Sequence, residues 1–115
     1  MQKFQVLAER RRQIVEQIAA LGPMRMGSIT EQMLPYKRPD GSVRQRGPYL
    51  TYTFKRKGKT CGKHLRNREE AERYRRQIEN YRRYQELSAE LVQVSQALAD
   101  QEAAGDEGGK KNSKN

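Results

Sequence analysis

The stretch Tyr49-Leu50-Thr51-Tyr52-Thr53-Phe54-Lys55-Arg56-Lys57-Gly58-Lys59-Thr60-Cys61-Gly62-Lys63-His64-Leu65 decides the fold. Its first half alternates with the period of a half-buried strand. Leu50, Tyr52 and Phe54 fall on one face, and Tyr49, Thr51, Thr53 and Lys55 on the other. Arg56-Lys57-Gly58-Lys59 reads as a hairpin connection, with Gly58 where a positive φ is wanted. If Lys57-Gly58 is a two-residue loop, Phe54 pairs with Cys61, Tyr52 with Lys63 and Leu50 with Leu65. This register gathers the apolar side chains on one face and leaves Tyr49, Thr51, Thr53, Lys55, Thr60, His64 and Arg66 on the other. A slip of one residue would scramble that sorting.

Upstream, residues 27–36 read as an extended strand, with Ile29 and Thr30 favouring it and Pro35 marking an edge. Pro39-Asp40-Gly41-Ser42 is a turn sequence: Pro presets one dihedral and Gly supplies the positive one. Val43 to Arg46 begins a return, and Gly47-Pro48 is expected to break it. Residues 27–66 are therefore expected to form a basic, three-stranded antiparallel sheet. Further upstream, Phe4, Leu7, Ile14, Ile18 and Leu21 keep a 3-4 spacing, which predicts an amphipathic helix over 4–21 ended by Gly22-Pro23 in a left-handed cap.

Downstream, Asn67-Arg68-Glu69-Glu70 is a capping-box pattern, and no Gly or Pro interrupts the chain from there to residue 102. A helix over 67–102 would be about 54 Å long. Its apolar stripe changes phase between Tyr81 and Tyr84. The stripe Ala71, Tyr74, Ile78 and Tyr81 is expected to cover the sheet. The stripe Leu87, Leu91, Val94 and Leu98 is expected to pair with the N-terminal helix in antiparallel fashion. The expected fold is α+β, a single small domain over 1–102. Residues 103–115 are Gly-rich and polar, too poor in apolar area to offset the entropy of ordering, and are expected to be a disordered tail.

The chain has 115 residues, and Leu, Ile, Val and Phe make up 19 of them, or 16.5%. That lies below the ~20% at which a highly charged chain approaches disorder, so a two-layer fold, long helices or an obligate oligomer is expected rather than a thick three-layer core. No run approaches the ~18 apolar residues of a membrane span, and Met1-Gln2-Lys3-Phe4 lacks a signal-peptide core. The lone Cys61 has no disulfide partner within the chain. These features together predict a cytoplasmic location.

Charge is concentrated. Lys37, Arg38, Arg44, Arg46, Lys55, Arg56, Lys57, Lys59, Lys63 and Arg66 face one acid, Asp40, over residues 37–66. That is +9 of the chain's formal +10. A field this local attracts polyanions, of which nucleic acid is the obvious one. Catalysis is not expected. Cys61 and His64 are the only residues of their kinds and lie on opposite strand faces, too few and too far turned for a metal site or a nucleophilic pair. Lys57-Gly58-Lys59-Thr60 ends like a phosphate-binding loop but lacks the upstream Gly and the following helix. No cofactor or metal is expected.

The run from Gly47-Pro48-Tyr49 through Gly58-Lys59 to Glu70-Ala71-Glu72-Arg73-Tyr74 resembles the arm-type DNA-binding domain of tyrosine integrases over about 30 residues. That resemblance implies that an exposed sheet face meets DNA, here through Tyr49, Thr51, Thr53, Lys55, Lys57, Lys59, His64 and Arg66. It includes no recombinase domain, so integrase catalysis is not implied. Gly27-Ser28-Ile29-Thr30-Glu31-Gln32, the Gly-Pro-Tyr strand and Gln77-Ile78-Glu79-Asn80-Tyr81 also resemble a family of short uncharacterised bacterial proteins encoded beside transposases and other mobile elements.

The expected function is thus a non-enzymatic accessory protein that binds nucleic acid, DNA before RNA, and is linked to a mobile element. The expected contacts are Arg44, Arg46, Tyr49, Thr51, Thr53, Lys55, Arg56, Lys57, Lys59, Lys63, His64 and Arg66. The alternative is a coiled-coil-type interaction protein, a homodimer or a transposase partner, using Leu87, Leu91, Val94 and Leu98.

Overall fold

The computed structural model describes residues 3–109. Helix α1 spans Lys3–Ala20, strands β1, β2 and β3 span Ser28–Lys37, Val43–Arg56 and Lys59–His64, and helix α2 spans Arg68–Gly109. The fold is α+β, and the strands form one antiparallel sheet in the order β1-β2-β3. Contacts divide the chain into two compact units. One combines residues 22–81, and the other combines α1 with α2 from Arg82 onward.

In the sheet-bearing unit, β2 pairs β3 in the register that sorts apolar from polar. Phe54 faces Cys61, Tyr52 faces Lys63 and Arg56 faces Lys59. Leu65 N–H donates to Leu50 O at 2.8 Å, which continues the pairing past the end of β3. Lys57 and Gly58 both take positive φ, 52° and 80°, as a two-residue primed turn requires. The first three turns of α2 pack their stripe on this face. Tyr52, Leu65, Ala71, Tyr74 and Ile78 form the core, with Ile29, Leu50 and Phe54 packed against it. The ring of Tyr74 meets that of Tyr52 edge-on at 5.0 Å, and Tyr52 stacks on Phe54 at 5.0 Å. Such pairs are worth about 1 kcal/mol each beyond their buried area.

The capping pattern is realised with one change. Asn67 Oδ1 accepts from Glu70 N–H at 2.8 Å, but Glu70 Oε1 accepts from Arg66 N–H rather than from the cap residue itself. In the helical unit, Arg10 grips Glu90 with two bonds of 2.6 and 2.7 Å, and Arg83 donates to Gln17 at 3.2 Å. The two pairs are seven residues apart on each helix and run in opposite senses, so the helices are antiparallel. On that alignment Ile14 lies level with Leu87, and both are almost fully buried. The phase change after Tyr81 therefore coincides with a change of packing partner.

Three expectations need correction. The helix predicted to end at residue 102 continues to Gly109. Once nucleated, a helix gains a hydrogen bond for each residue added, and Ala103-Ala104 propagate it well. The remainder of the expected tail, 110–115, lies outside the described residues. Gly22 does not adopt positive φ. Instead Leu21 N–H closes the last turn of α1 on Ile18 O at 3.1 Å, and Gly22 leaves room for Asn80, whose Nδ2 donates to Pro23 O at 2.9 Å. Finally, Gly47-Pro48 does not break the strand: β2 runs unbroken from Val43 to Arg56.

Candidate nucleic-acid interface

The reason β2 survives Gly47-Pro48 also determines which cations share a face. Gln32 pairs with Tyr49 and Leu34 with Arg46, so Met33 alone stands opposite Gly47 and Pro48. That is a bulge in β2, placed where β3 does not yet pair with it, and a bulge or an unpaired strand edge is where a strand accepts a proline. Gly47 has φ 138°, and a Cβ there would lie 2.8 Å from Gln32 O, so only glycine fits.

The extra residue reverses the alternation. Without it, Gln45 and Val43 would lie on the face of Tyr49, Thr51 and Thr53. With it, Arg46 and Arg44 do, opposite Leu34 and Tyr36. Side-chain contacts agree: Arg46 Cζ sits 4.4 Å from the Tyr36 ring centroid, and the Tyr49 and His64 rings are 6.3 Å apart. The face turned away from α2 thus carries Thr30, Gln32, Leu34 and Tyr36 from β1. It carries Arg44, Arg46, Tyr49, Thr51, Thr53 and Lys55 from β2, and Thr60 and His64 from β3. No carboxylate lies among these described strand residues.

Seven of the twelve nucleic-acid residues expected from sequence are brought together there: Arg44, Arg46, Tyr49, Thr51, Thr53, Lys55 and His64. Lys57 stands in the turn. Arg56 and Lys59 pair across the hairpin on the opposite side, where the Arg56 guanidinium lies 6.0 Å from the Phe54 centroid. Lys63 belongs to the covered side. Its ammonium donates to Tyr74 Oη at 2.7 Å and lies 3.7 Å from Glu70. That hydrogen bond, aided by the nearby carboxylate, holds its pKa above the ordinary lysine value. Arg66 remains exposed, with Nε 3.5 Å from Glu70. The buried Glu70 carboxyl is held below its ordinary pKa, chiefly by the Arg66 N–H bond and then by the charges of Arg66 and Lys63, against the opposing effect of burial.

Sequence reasoning missed Tyr36 and Arg25. Arg25 lies 4.0 Å from the Tyr74 centroid, and its Nε donates to Gln77 at 2.8 Å, so it closes the core rather than facing a ligand. Cys61 is half-buried on the covered side and His64 is exposed on the other. No group of three potential metal ligands occurs among the described residues. None of their helices is long and apolar enough to cross a membrane.

The expected partner stripe is occupied within the chain. Leu87 is only 1% exposed, and Leu91, Val94 and Leu98 are half-buried. A partner at Leu87 would have to displace α1. Comparisons with family models, curated proteins and solved structures find no match to this chain.

Proposed function

We propose that this chain is a non-enzymatic, cytoplasmic nucleic-acid-binding protein whose open sheet face and flanking hairpin dock on a phosphate backbone. The observation that supports this most is the face itself. Arg44, Arg46, Lys55 and His64 share it with four threonines, two tyrosines and no carboxylate. Cations there supply charge to phosphates, while hydroxyls and the Tyr49 ring supply short hydrogen bonds and a stacking surface. An accessory role beside a mobile element rests on the sequence resemblance and requires no further chemistry from these residues.

The test is fluorescence anisotropy with random-sequence duplex DNA at 50 and 200 mM salt. With about five phosphates neutralised, log K falls with log salt at a slope of about −4.5, or about 500-fold between those two conditions. Replacing Lys55 and Lys57 together by Glu should weaken binding by about 100-fold at 50 mM salt without changing the circular dichroism spectrum. Salt-independent affinity, or an unchanged double variant, would overturn the reading.

A further inference from the structure

The sheet is not uniform along its strands. Its buried and core-contacting residues are Ile29 on β1, Leu50, Tyr52 and Phe54 on β2, and Leu65 just past β3. From Met33 to Arg46 every residue except the half-buried Ser42 is exposed, although β1 and β2 stay paired out to Lys37 and Val43. β3 does not accompany them; its pairing with β2 begins at Thr51. The chain therefore carries a two-stranded arm about 17 Å long, five residues at about 3.3 Å each, plus its turn.

This arm has the wrong surface for plain solvation. Met33, Leu34, Tyr36 and Val43 are 49, 42, 37 and 63% exposed. Around them stand Lys37, Arg38, Arg44 and Arg46, against the single acid Asp40. Asp40 is turned inward on its own loop, accepting from Ser42 N–H at 2.9 Å and Ser42 Oγ–H at 2.6 Å. The loop is closed by Arg38 N–H to Ser42 O at 2.8 Å, so the tip is a built turn rather than a loose end. Arg46 is likewise held in advance, its guanidinium 4.4 Å over Tyr36. A pre-placed arginine loses less freedom on binding.

Resting on the nucleic-acid reading above, the geometry points to a specific partner: B-form duplex DNA, with the arm inserted in the major groove and Arg46 the side chain presented to base edges. A two-stranded ribbon fits a groove of about 12 Å, and B-DNA offers one in its major groove. The minor groove of about 6 Å does not admit a ribbon without being opened. The A-form major groove of duplex RNA is too deep and narrow for side chains to read. Arg46 reaches guanine with a two-pronged donor pair, while exposed Leu34, its cross-strand partner on the same face, suits a thymine methyl group. The bulge at Gly47-Pro48 makes this compatible with phosphate contact at Lys55, because it turns Arg44 and Arg46 to the face that Lys55 already occupies.

The test measures affinity of the full chain for three probes of one sequence at 50 mM salt: duplex DNA, duplex RNA, and duplex DNA whose cytosines carry glucosylated 5-hydroxymethyl groups, which fill the major groove. The expected result is binding to plain duplex DNA at least about 10-fold tighter than to either of the others. Arg46→Gln with Tyr36→Ala should erase that preference while leaving the denaturation midpoint in place, since both side chains lie outside the core. Equal affinity for all three probes, or a preference that survives the double substitution, overturns the arm's role while leaving the phosphate-docking reading intact. Absence of binding to any of the three at 50 mM salt overturns that reading as well.

Discussion

Strand β1 is two different things along its ten residues. Around Ile29 it is a sheet edge laid on a helix, and beyond Gln32 it is half of a bare arm. The hydrophobicity of the two halves does not explain the difference. Ile29 is the main apolar residue of the first, whereas the second carries Met33, Leu34, Pro35 and Tyr36. What differs is the availability of a partner. The stripe Ala71, Tyr74 and Ile78 covers Tyr52 and its neighbours and nothing from 33 to 46. On the proposal above, apolar side chains that the fold leaves exposed, ringed by arginine and lysine, serve as contact surface.

The largest expected effect is a difference in stability between two tyrosines. Tyr74→Ala removes the ring on which Tyr52, Arg25 and Lys63 converge, and should cost about 3–5 kcal/mol in denaturant titration. Tyr36→Ala should fall within about 0.5 kcal/mol of the parent. If the two substitutions cost the same, the arm is part of the cooperative core and the contrast drawn between the halves of β1 fails.

A smaller effect should separate the arm from the rest without touching any of its charges. At Gly47 the backbone takes φ 138° and leaves no room for a Cβ beside Gln32 O. Gly47→Ala should therefore unzip the arm locally, at a cost of about 1–3 kcal/mol. Hydrogen exchange would show it as lost amide protection at residues 34–37 and 43–46, with Tyr52 protected as before. Loss of protection throughout the sheet would mean that arm and base fold as one unit.

The sequence made the hairpin legible because its cues are local. Lys57-Gly58 and the alternation from Leu50 to Phe54 specify one register, and the structure has that register. The phase shift after Tyr81 was equally readable, since helical periodicity needs no knowledge of the partner. The bulge was not. Gly47-Pro48 reads as an interruption, and only the pairing of Gln32 with Tyr49 and Leu34 with Arg46 shows that it is an inserted residue inside a continuing strand. Lys63 teaches a different lesson. The register that pairs it with Tyr52 already assigns it to the covered side, but counting charge along a segment hides the alternation. Arg25 left no local sign, because its role depends on Tyr74 and Gln77, some fifty residues away.

Those two lysine environments yield the smallest and most selective prediction. Lys55 shares its face with no carboxylate, whereas Lys63 and Arg66 flank the buried Glu70. Glu70 ionises more readily folded than unfolded, because the Arg66 N–H and two cations favour its charged form. Its contribution to stability is therefore complete above the ordinary carboxylate value of 4.5 and is lost as pH falls through its lower folded value. Glu90, bound to Arg10, shifts in the same direction, so acid weakens both units, and Glu70 accounts for only part of the loss. In Glu70→Gln that part is missing at every pH. The variant should melt below the parent at pH 7, and the two melting curves should converge between pH 5 and 3 as the parent's Glu70 takes up its proton. Parallel curves across that range would mean that Glu70 does not hold Lys63 and Arg66, and that the distinction between engaged and open basic residues has another origin.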